Sequence, residues 1–91
     1  MLRIVEEKVT DSDITLRLDG RLVGQWVEVL RTSCEQAFEN GTRLKLDLAG
    51  VSFADLEGVK LLRQLQARQV SLINCSPFLR EQLKQSPHSF S

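Results

Sequence analysis

The chain has few of the residues that catalytic and metal-binding sites most often use. It has one histidine, His88, two cysteines and no tyrosine among its 91 residues. A Ser-His-Asp or Cys-His arrangement needs a histidine held in a folded site, whereas we expect the polar stretch around His88 to be frayed. Cys34 and Cys75 show no Cys-x-x-Cys or Cys/His spacing, and we interpret both as small buried residues. The composition therefore predicts no catalytic residue, no metal and no cofactor.

The chain also lacks an excess of charge of one sign and a long hydrophobic run. Its 12 basic and 12 acidic residues give a formal net charge of zero. Without a cluster of Lys and Arg, nucleic acid is not an expected partner. Direct membrane insertion is not expected either, and the amino terminus alternates apolar and charged residues, unlike a signal peptide. We therefore expect a cytoplasmic protein with one domain in residues 1–84 and a frayed tail in residues 85–91.

Two segments alternate between apolar and polar residues with the period of a β-strand. They are Ile14 to Asp19 and Arg43 to Leu48, and each has one apolar and one charged face. A looser first strand, Arg3 to Val9, is joined to the second by turn-forming residues 10–13, which are few enough for a hairpin. Val70 to Asn74 is the predicted fourth strand.

Helical spacing of apolar residues occupies the segments between and after these strands. Val23 to Phe38 predicts an amphipathic first helix with an acidic outer face, ended by Asn40-Gly41. The second predicted helix runs from Gly58 to Val70 with a basic outer face, and a third begins at Pro77 after an N-cap at Ser76. Strands separated by helices pair in parallel, and an alternating strand has only one buried face. We predict an α/β fold with a mixed four-stranded sheet, an N-terminal hairpin and helices mainly on one face.

Two glycines precede the first predicted helix. Gly20 and Gly24 fit neither GxxxxGK[ST] nor GxGxxG, so no phosphate-binding loop is predicted from them. We interpret Gly20 as the end of the second strand and Gly24 as a helix-start residue.

The most informative stretch of the chain is Leu44 to Leu62, which reads LKLDLAGVSFADLEGVKLL. It predicts an alternating strand, a short loop ending in Phe53-Ala54-Asp55 and a helix opened by Leu56-Glu57-Gly58. This layout resembles the central motif of STAS domains, the anti-sigma factor antagonist family, in which a strand leads to an Asp-Ser-Ser/Thr-Gly helix start. The resemblance extends from about Ile14 to Leu83. It implies a bacterial regulatory domain that binds other proteins and is not an enzyme.

The resemblance breaks at the position that controls the regulated members of the family. Leu56 stands where those members have the serine that a kinase phosphorylates, while Asp55 matches the preceding acid and Gly58 matches the glycine. Glu57 occupies the following Ser/Thr position. Because leucine has no hydroxyl group, the resemblance implies that phosphorylation at this position is lost. Ser52 is an alternative acceptor, although a serine at that place is more typical of a turn.

The leading hypothesis is a noncatalytic module that binds another protein at the start of the second helix. An exposed Leu56 ringed by charged residues has a common interface composition, whereas the competing interpretation places Leu56 in the core. The predicted partner-binding residues are Asp55, Leu56, Glu57, Gly58, Lys60 and Arg63. The resemblance implies an anti-sigma kinase-like protein, a signalling complex or the ATPase of a transporter as partner, since stand-alone STAS subunits also serve phospholipid-transport systems.

A second class of function is the binding of a small anion or nucleotide at the amino end of the second helix. Asp55 and Glu57 make that end electronegative, which opposes an anionic ligand. A third possibility is a structural remnant whose site has decayed, for which the sequence offers no test.

Overall fold

A computed structural model describes residues 2–84, which form four strands and three helices. The strands are β1 (Leu2–Val9), β2 (Asp13–Leu22), β3 (Arg43–Ala54) and β4 (Ser71–Ile73). The helices are α1 (Gln25–Glu39), α2 (Leu56–Ala67) and α3 (Pro77–Lys84). The predicted tail, residues 85–91, lies outside the described residues, and so does His88.

The sheet has the strand order β1-β2-β3-β4 and is mixed. β1 and β2 form the predicted antiparallel hairpin, and the backbone amide of Thr10 donates to the carbonyl of Asp13 at 2.8 Å across its turn. β2 with β3 and β3 with β4 are parallel, because a helix connects each pair. The predicted α/β fold with a mixed four-stranded sheet is confirmed.

Burial alternates along the central strands as the sequence pattern predicts. Leu18 and Leu46 are fully buried, whereas Arg17 and Lys45 on the opposite face are exposed. Helices therefore cover one face, and apolar burial against them is the main stabilising contribution. The largest fully buried side chains are Leu18, Leu22, Leu30, Cys34, Leu46, Leu48, Leu61, Leu62 and Leu79. Cys75 is only half-buried, so the interpretation of both cysteines as buried holds for Cys34 alone.

Charged side chains on the open face of the sheet form pairs near the N-terminal hairpin. Arg17 lies 3.7 Å from a carboxylate oxygen of Glu7 and 3.4 Å from one of Asp19. Arg43 of β3 lies 3.9 Å from Asp13 of β2. Because all of these groups contact water, each pair stabilises the sheet by only about 0–1 kcal/mol.

The expectation that Gly20 ends the second strand is wrong. Gly20 lies inside β2 with a φ of 114°, pairs with Val51 of β3, and is followed by two further strand residues. The register between β2 and β3 shifts on either side of this pair, between Arg17 and Asp19 and again after Gly20. Such bulges interrupt the alternation of apolar residues, which is the signal from which strand length was predicted.

The loop predicted before Asp55 is also absent from the structure. β3 continues to Ala54, so Ser52 and Phe53 are strand residues, and Phe53 is half-buried. Gly50 lies beneath the side chain of Asp19, where a Cβ atom would collide with the carboxylate. Glycine permits this close approach between neighbouring strands. In the sequence alone, a glycine after an alternating strand is also typical of a loop.

The second helix begins at the predicted Leu56-Glu57-Gly58 opening and ends before Val70, the predicted end. α2 spans Leu56–Ala67 because Asp55 provides its N-cap, and Gln69 then takes a φ of 69° that breaks the helix. β4 has three residues, fewer than the predicted Val70 to Asn74, and pairs only with Lys45–Asp47 of β3.

α3 covers the edge of β3 that the short β4 leaves unpaired. The side-chain amide of Gln82 donates to the carbonyl of Ala54 at 2.8 Å and accepts from the backbone amide of Ala54 at 3.4 Å. These two bonds take the place of a neighbouring strand at that residue. They hold the second half of α3 beside the C-terminal end of β3, next to the candidate site.

Candidate functional site

Asp55 connects the start of α2 with the start of α1. Its extended backbone directs one carboxylate oxygen to the amide of Gly58 at 2.8 Å, and the other accepts from the amide of Gly24 at 2.9 Å. The first contact is a side-chain N-cap of α2. The second contact spans 31 residues, and no local pattern could have indicated it. Gly24 is the N-cap residue of α1, as the sequence indicated, so one side chain sets the relative position of two helix starts.

Gly58 allows the first turn of α2 to contact the end of β2. A Cβ atom at this buried residue would lie 2.6 Å from the carbonyl oxygen of Leu22 and 3.0 Å from its Cγ atom. The same carbonyl accepts a hydrogen bond from the Asp55 amide at 3.1 Å. Gly58 therefore positions the helix and presents no surface of its own to a partner.

Leu56, the first residue of α2, is 54% exposed. The structure thus decides between the two sequence interpretations in favour of a surface position. Glu57 and Lys60 are also exposed, and they form an i, i+3 ion pair in which Nζ of Lys60 lies 3.6 Å from a carboxylate oxygen of Glu57. A pair of this kind contributes only about 0.5 kcal/mol, so both side chains can reorient toward another molecule at little cost.

Arg63 lies one helical turn beyond Lys60 and is half-buried. Its guanidinium group donates to the carbonyl of Leu83 at 2.6 Å, which joins α2 to α3. The structure therefore brings Leu56, Glu57 and Lys60 together on one exposed surface. Arg63 borders this surface from a position held by α3.

The alternative phosphate acceptor, Ser52, is separate from the helix start. It is an exposed residue of β3, and its hydroxyl donates to the carbonyl of Gly20 at 3.4 Å. In contrast, Leu56 stands in the first turn of α2.

The start of α2 offers little to a small anion. The Gly58 amide already donates to Asp55, and the neighbouring Glu57 adds a second negative charge. A groove of about 560 Å³ lies between the hairpin and α1, but none of the predicted site residues lines it. These contacts disfavour the anion- or nucleotide-binding alternative.

Within residues 2–84, no group of three or more His, Cys, Asp or Glu side chains is arranged to hold a metal ion. Burial raises the pKa of the Cys34 thiol to about 12, and burial also raises the pKa of Cys75. Both thiols are therefore protonated and weakly nucleophilic near neutral pH. None of the helices in the described part of the chain has the length and hydropathy to cross a bilayer.

This is the architecture of a STAS domain: a mixed sheet with an N-terminal hairpin, helices on one face, and a helix capped by an acidic residue at the end of the third strand. The chain belongs to this family: the family model described as "Mlab, STAS domain" matches residues 5–86. The resemblance noted in the sequence is thereby confirmed.

Two solved structures give the comparison at the level of particular proteins. The anti-sigma factor antagonist SpoIIAA in its unphosphorylated form is 29% identical over 93% of this chain and 84% of that chain, with a TM-score of 0.68. The Bacillus cell fate determinant SpoIIAA in its phosphorylated form is 25% identical over the same shares, with a TM-score of 0.63. No curated protein matches the chain. The likeness supports a regulatory module of the STAS type.

Proposed function

We propose that this chain is a noncatalytic, cytoplasmic interaction module that binds another protein at the amino end of α2, without control by phosphorylation at position 56. The observation that carries the proposal is the exposure of Leu56, 54%, in the first turn of a helix whose start is fixed. Leu56, Glu57 and Lys60 make the contact in this proposal, Arg63 extends it, and Asp55 and Gly58 hold the helix in place.

The fixed helix start distinguishes Leu56 from an ordinary exposed apolar residue. Isolated exposed leucines are common on soluble proteins and indicate no function by themselves. Here the two hydrogen bonds of Asp55 and the close contact of Gly58 hold the backbone of α2 against β2. A partner that buries Leu56 therefore does not have to order the helix first, and this preorganisation lowers the entropic cost of binding.

The part of the proposal that concerns phosphorylation has a direct test. The protein is incubated with ATP and a co-occurring anti-sigma-type kinase, and its intact mass is measured. We expect no added phosphate, whereas a Leu56→Ser variant supplies a hydroxyl at the same helix position and serves as the positive control. Stoichiometric addition of one phosphate to the native chain, mapped to Ser52, would show that a phosphorylation switch is kept at another position and would contradict its loss.

A second candidate places the chain in an ABC-type phospholipid-transport system. The observation that favours it is the family model itself, which is named for Mlab and covers residues 5–86. Stand-alone STAS subunits of such systems are among the relatives that the sequence resemblance implies. In this case the partner is the ATPase of the transporter, and the contact surface is the same.

Partner capture tests both candidates. Native protein and a Leu56→Arg variant are immobilised, and proteins bound from native lysate are identified by mass spectrometry. Val29→Arg is the matched control, because Val29 is also exposed, 43%, but lies on α1. We expect Leu56→Arg to lose a protein that Val29→Arg retains, and Lys60→Glu to weaken its capture.

The identity of the lost protein separates the candidates. An anti-sigma kinase-like protein supports the first, and a transporter ATPase supports the second. Equal capture by native protein and all three variants would place the contact elsewhere on the domain.

A further inference from the structure

Two aromatic rings and a cation lie together outside the predicted site. Phe53 of β3 and Phe78 at the start of α3 are stacked, with ring centroids 6.3 Å apart and an interplanar angle of 27°. The guanidinium carbon of Arg21 in β2 lies 5.7 Å from the centroid of Phe53, its partner in the strand register. We name these three residues the aromatic patch.

The aromatic patch is accessible from the open side of the sheet. Phe78 is 56% exposed, Arg21 is exposed and Phe53 is half-buried. Leu22 and Ala54, the next residues in the two strands, are fully buried. Since side chains alternate between faces along a strand, Arg21 and Phe53 lie on the face opposite the buried Leu22 and Ala54, where Phe78 at the start of α3 contacts the ring of Phe53.

The aromatic patch is also close to the proposed contact at Leu56. Phe53 and Leu56 are three positions apart along the chain, so their Cα atoms are at most about 11 Å apart. A standard protein interface covers about 800 Å² on each partner and can include both.

The charge of the aromatic patch indicates what chemistry would bind there. Arg21 forms no ion pair within residues 2–84, whereas Arg17, Arg43 and Arg68 each face a carboxylate. Its contact with Phe53 is worth about 0.5–1 kcal/mol at an exposed position and does not neutralise the cation. The patch therefore offers apolar surface beside a free positive charge. Aromatic residues and Arg are the types most enriched at energetically important interface positions.

We infer that the aromatic patch is a second contact for the same partner protein, and that it receives an apolar side chain flanked by Asp or Glu. This inference rests on the proposed function, since it assumes that the Leu56 surface binds a protein. It adds the chemistry of the partner segment, which the Leu56 surface alone does not define.

Site-specific photocrosslinking tests the inference on the whole chain. The photoreactive residue p-benzoylphenylalanine replaces Phe78 in one variant, Leu56 in a second and Val29, on α1, in a third. Each variant is checked for native circular dichroism and irradiated in native lysate, and the crosslinked peptides are sequenced. We expect adducts at positions 56 and 78 with the same protein, a crosslinked segment at 78 rich in Asp or Glu, and no such adduct at 29.

The outcomes separate this inference from the proposed function. Crosslinking at position 56 but not at position 78 would contradict the proposed contact at the aromatic patch and support the contact at Leu56. Crosslinking at 78 alone, to an acidic segment, would support the patch and overturn the Leu56 contact. A basic segment at 78, or an adduct with a second copy of this chain, would contradict the inferred chemistry, and no adduct at either position would overturn both proposals.

A charge substitution gives an independent measurement on the purified partner. We expect Arg21→Glu to reduce the affinity by about tenfold or more at low salt, and to reduce its dependence on salt. Arg21→Lys keeps the charge and should stay within about threefold of the native affinity. Equal affinities for all three proteins would refute the role of Arg21.

Discussion

Replacing Asp55 by alanine removes two hydrogen bonds that hold the candidate site together. The cap on Gly58, at 2.8 Å, is part-buried, and loss of such an N-cap costs about 0.5–2 kcal/mol. The bond to the Gly24 amide, at 2.9 Å, is exposed, so its loss costs about 0.5–1 kcal/mol. We expect Asp55→Ala to lower the free energy of unfolding by about 2 kcal/mol in all. In a domain of this size that corresponds to a fall of about 8–16 °C in the melting temperature.

Two controls make this measurement specific. Asn caps helices about as well as Asp but has one acceptor oxygen instead of two, so Asp55→Asn should lose roughly the Gly24 bond alone, about 0.5–1 kcal/mol. Glu39→Ala changes an exposed carboxylate that forms no ion pair or hydrogen bond within residues 2–84, and should change stability by less than about 0.5 kcal/mol. Urea unfolding followed by circular dichroism gives all three values. If Asp55→Ala matched Glu39→Ala, Asp55 would not organise the two helix starts.

Three further predictions concern the packing that supports the site. Gly58→Ala should destabilise the protein by about 1–3 kcal/mol in urea unfolding, because a Cβ atom would lie 2.6 Å from the Leu22 carbonyl oxygen; a stability equal to or above native would disprove the tight contact. Leu46→Ala should lower the free energy of unfolding by about 2–5 kcal/mol, and Lys45→Ala on the open face by less than about 0.5 kcal/mol. Equally large losses of stability in both variants would reveal a second layer on the open face. Burial raises the pKa of Cys34 from 9.0 to about 12 in the folded protein. Below pH 9 the thiol is protonated in both the folded and the unfolded protein, so it should contribute no pH dependence to stability. Between pH 9 and about 12 the thiol ionises only in the unfolded protein, and the free energy of unfolding should fall. The expected slope is about 1.4 kcal/mol per pH unit. Cys34→Ala should lack that component in unfolding curves measured across this range, and an identical slope would refute the assignment.

The fold could be predicted because its signals are local. Alternating leucines in the central strands and helical spacing in α1 report directly on which face is buried, and the structure confirms both. Strand length was predicted less well, since the bulges near Gly20 shift the pattern and make the ends of β2 and β3 look like loop. The start of α2 was predicted from the Leu56-Glu57-Gly58 opening, and the Asp55 cap accounts for it.

The contacts that shape the site are mostly long-range, and for this reason the sequence did not indicate them. Asp55 meets Gly24 across 31 residues, and Gln82 meets Ala54 across 28. Arg63 was predicted as a partner-binding residue, yet its guanidinium is hydrogen-bonded to α3. Phe53 and Phe78 belong to no sequence motif. Their rings meet only because α3 runs along the edge of β3. The resemblance to STAS domains supplied the location of the site, and the side-chain geometry came from the structure.

The central claim is that Leu56 is an exposed anchor for a partner protein, and binding affinity measured together with stability tests it most directly. Isothermal titration of the captured partner into native protein, Leu56→Arg and the Val29→Arg control gives the three affinities, and thermal unfolding gives the three stabilities. We predict that Leu56→Arg melts within a few degrees of native and binds at least about tenfold more weakly, while Val29→Arg binds like native. A Leu56→Arg variant that unfolds would show that Leu56 belongs to the core, and one that folds and binds with native affinity would show that the partner contacts a different surface.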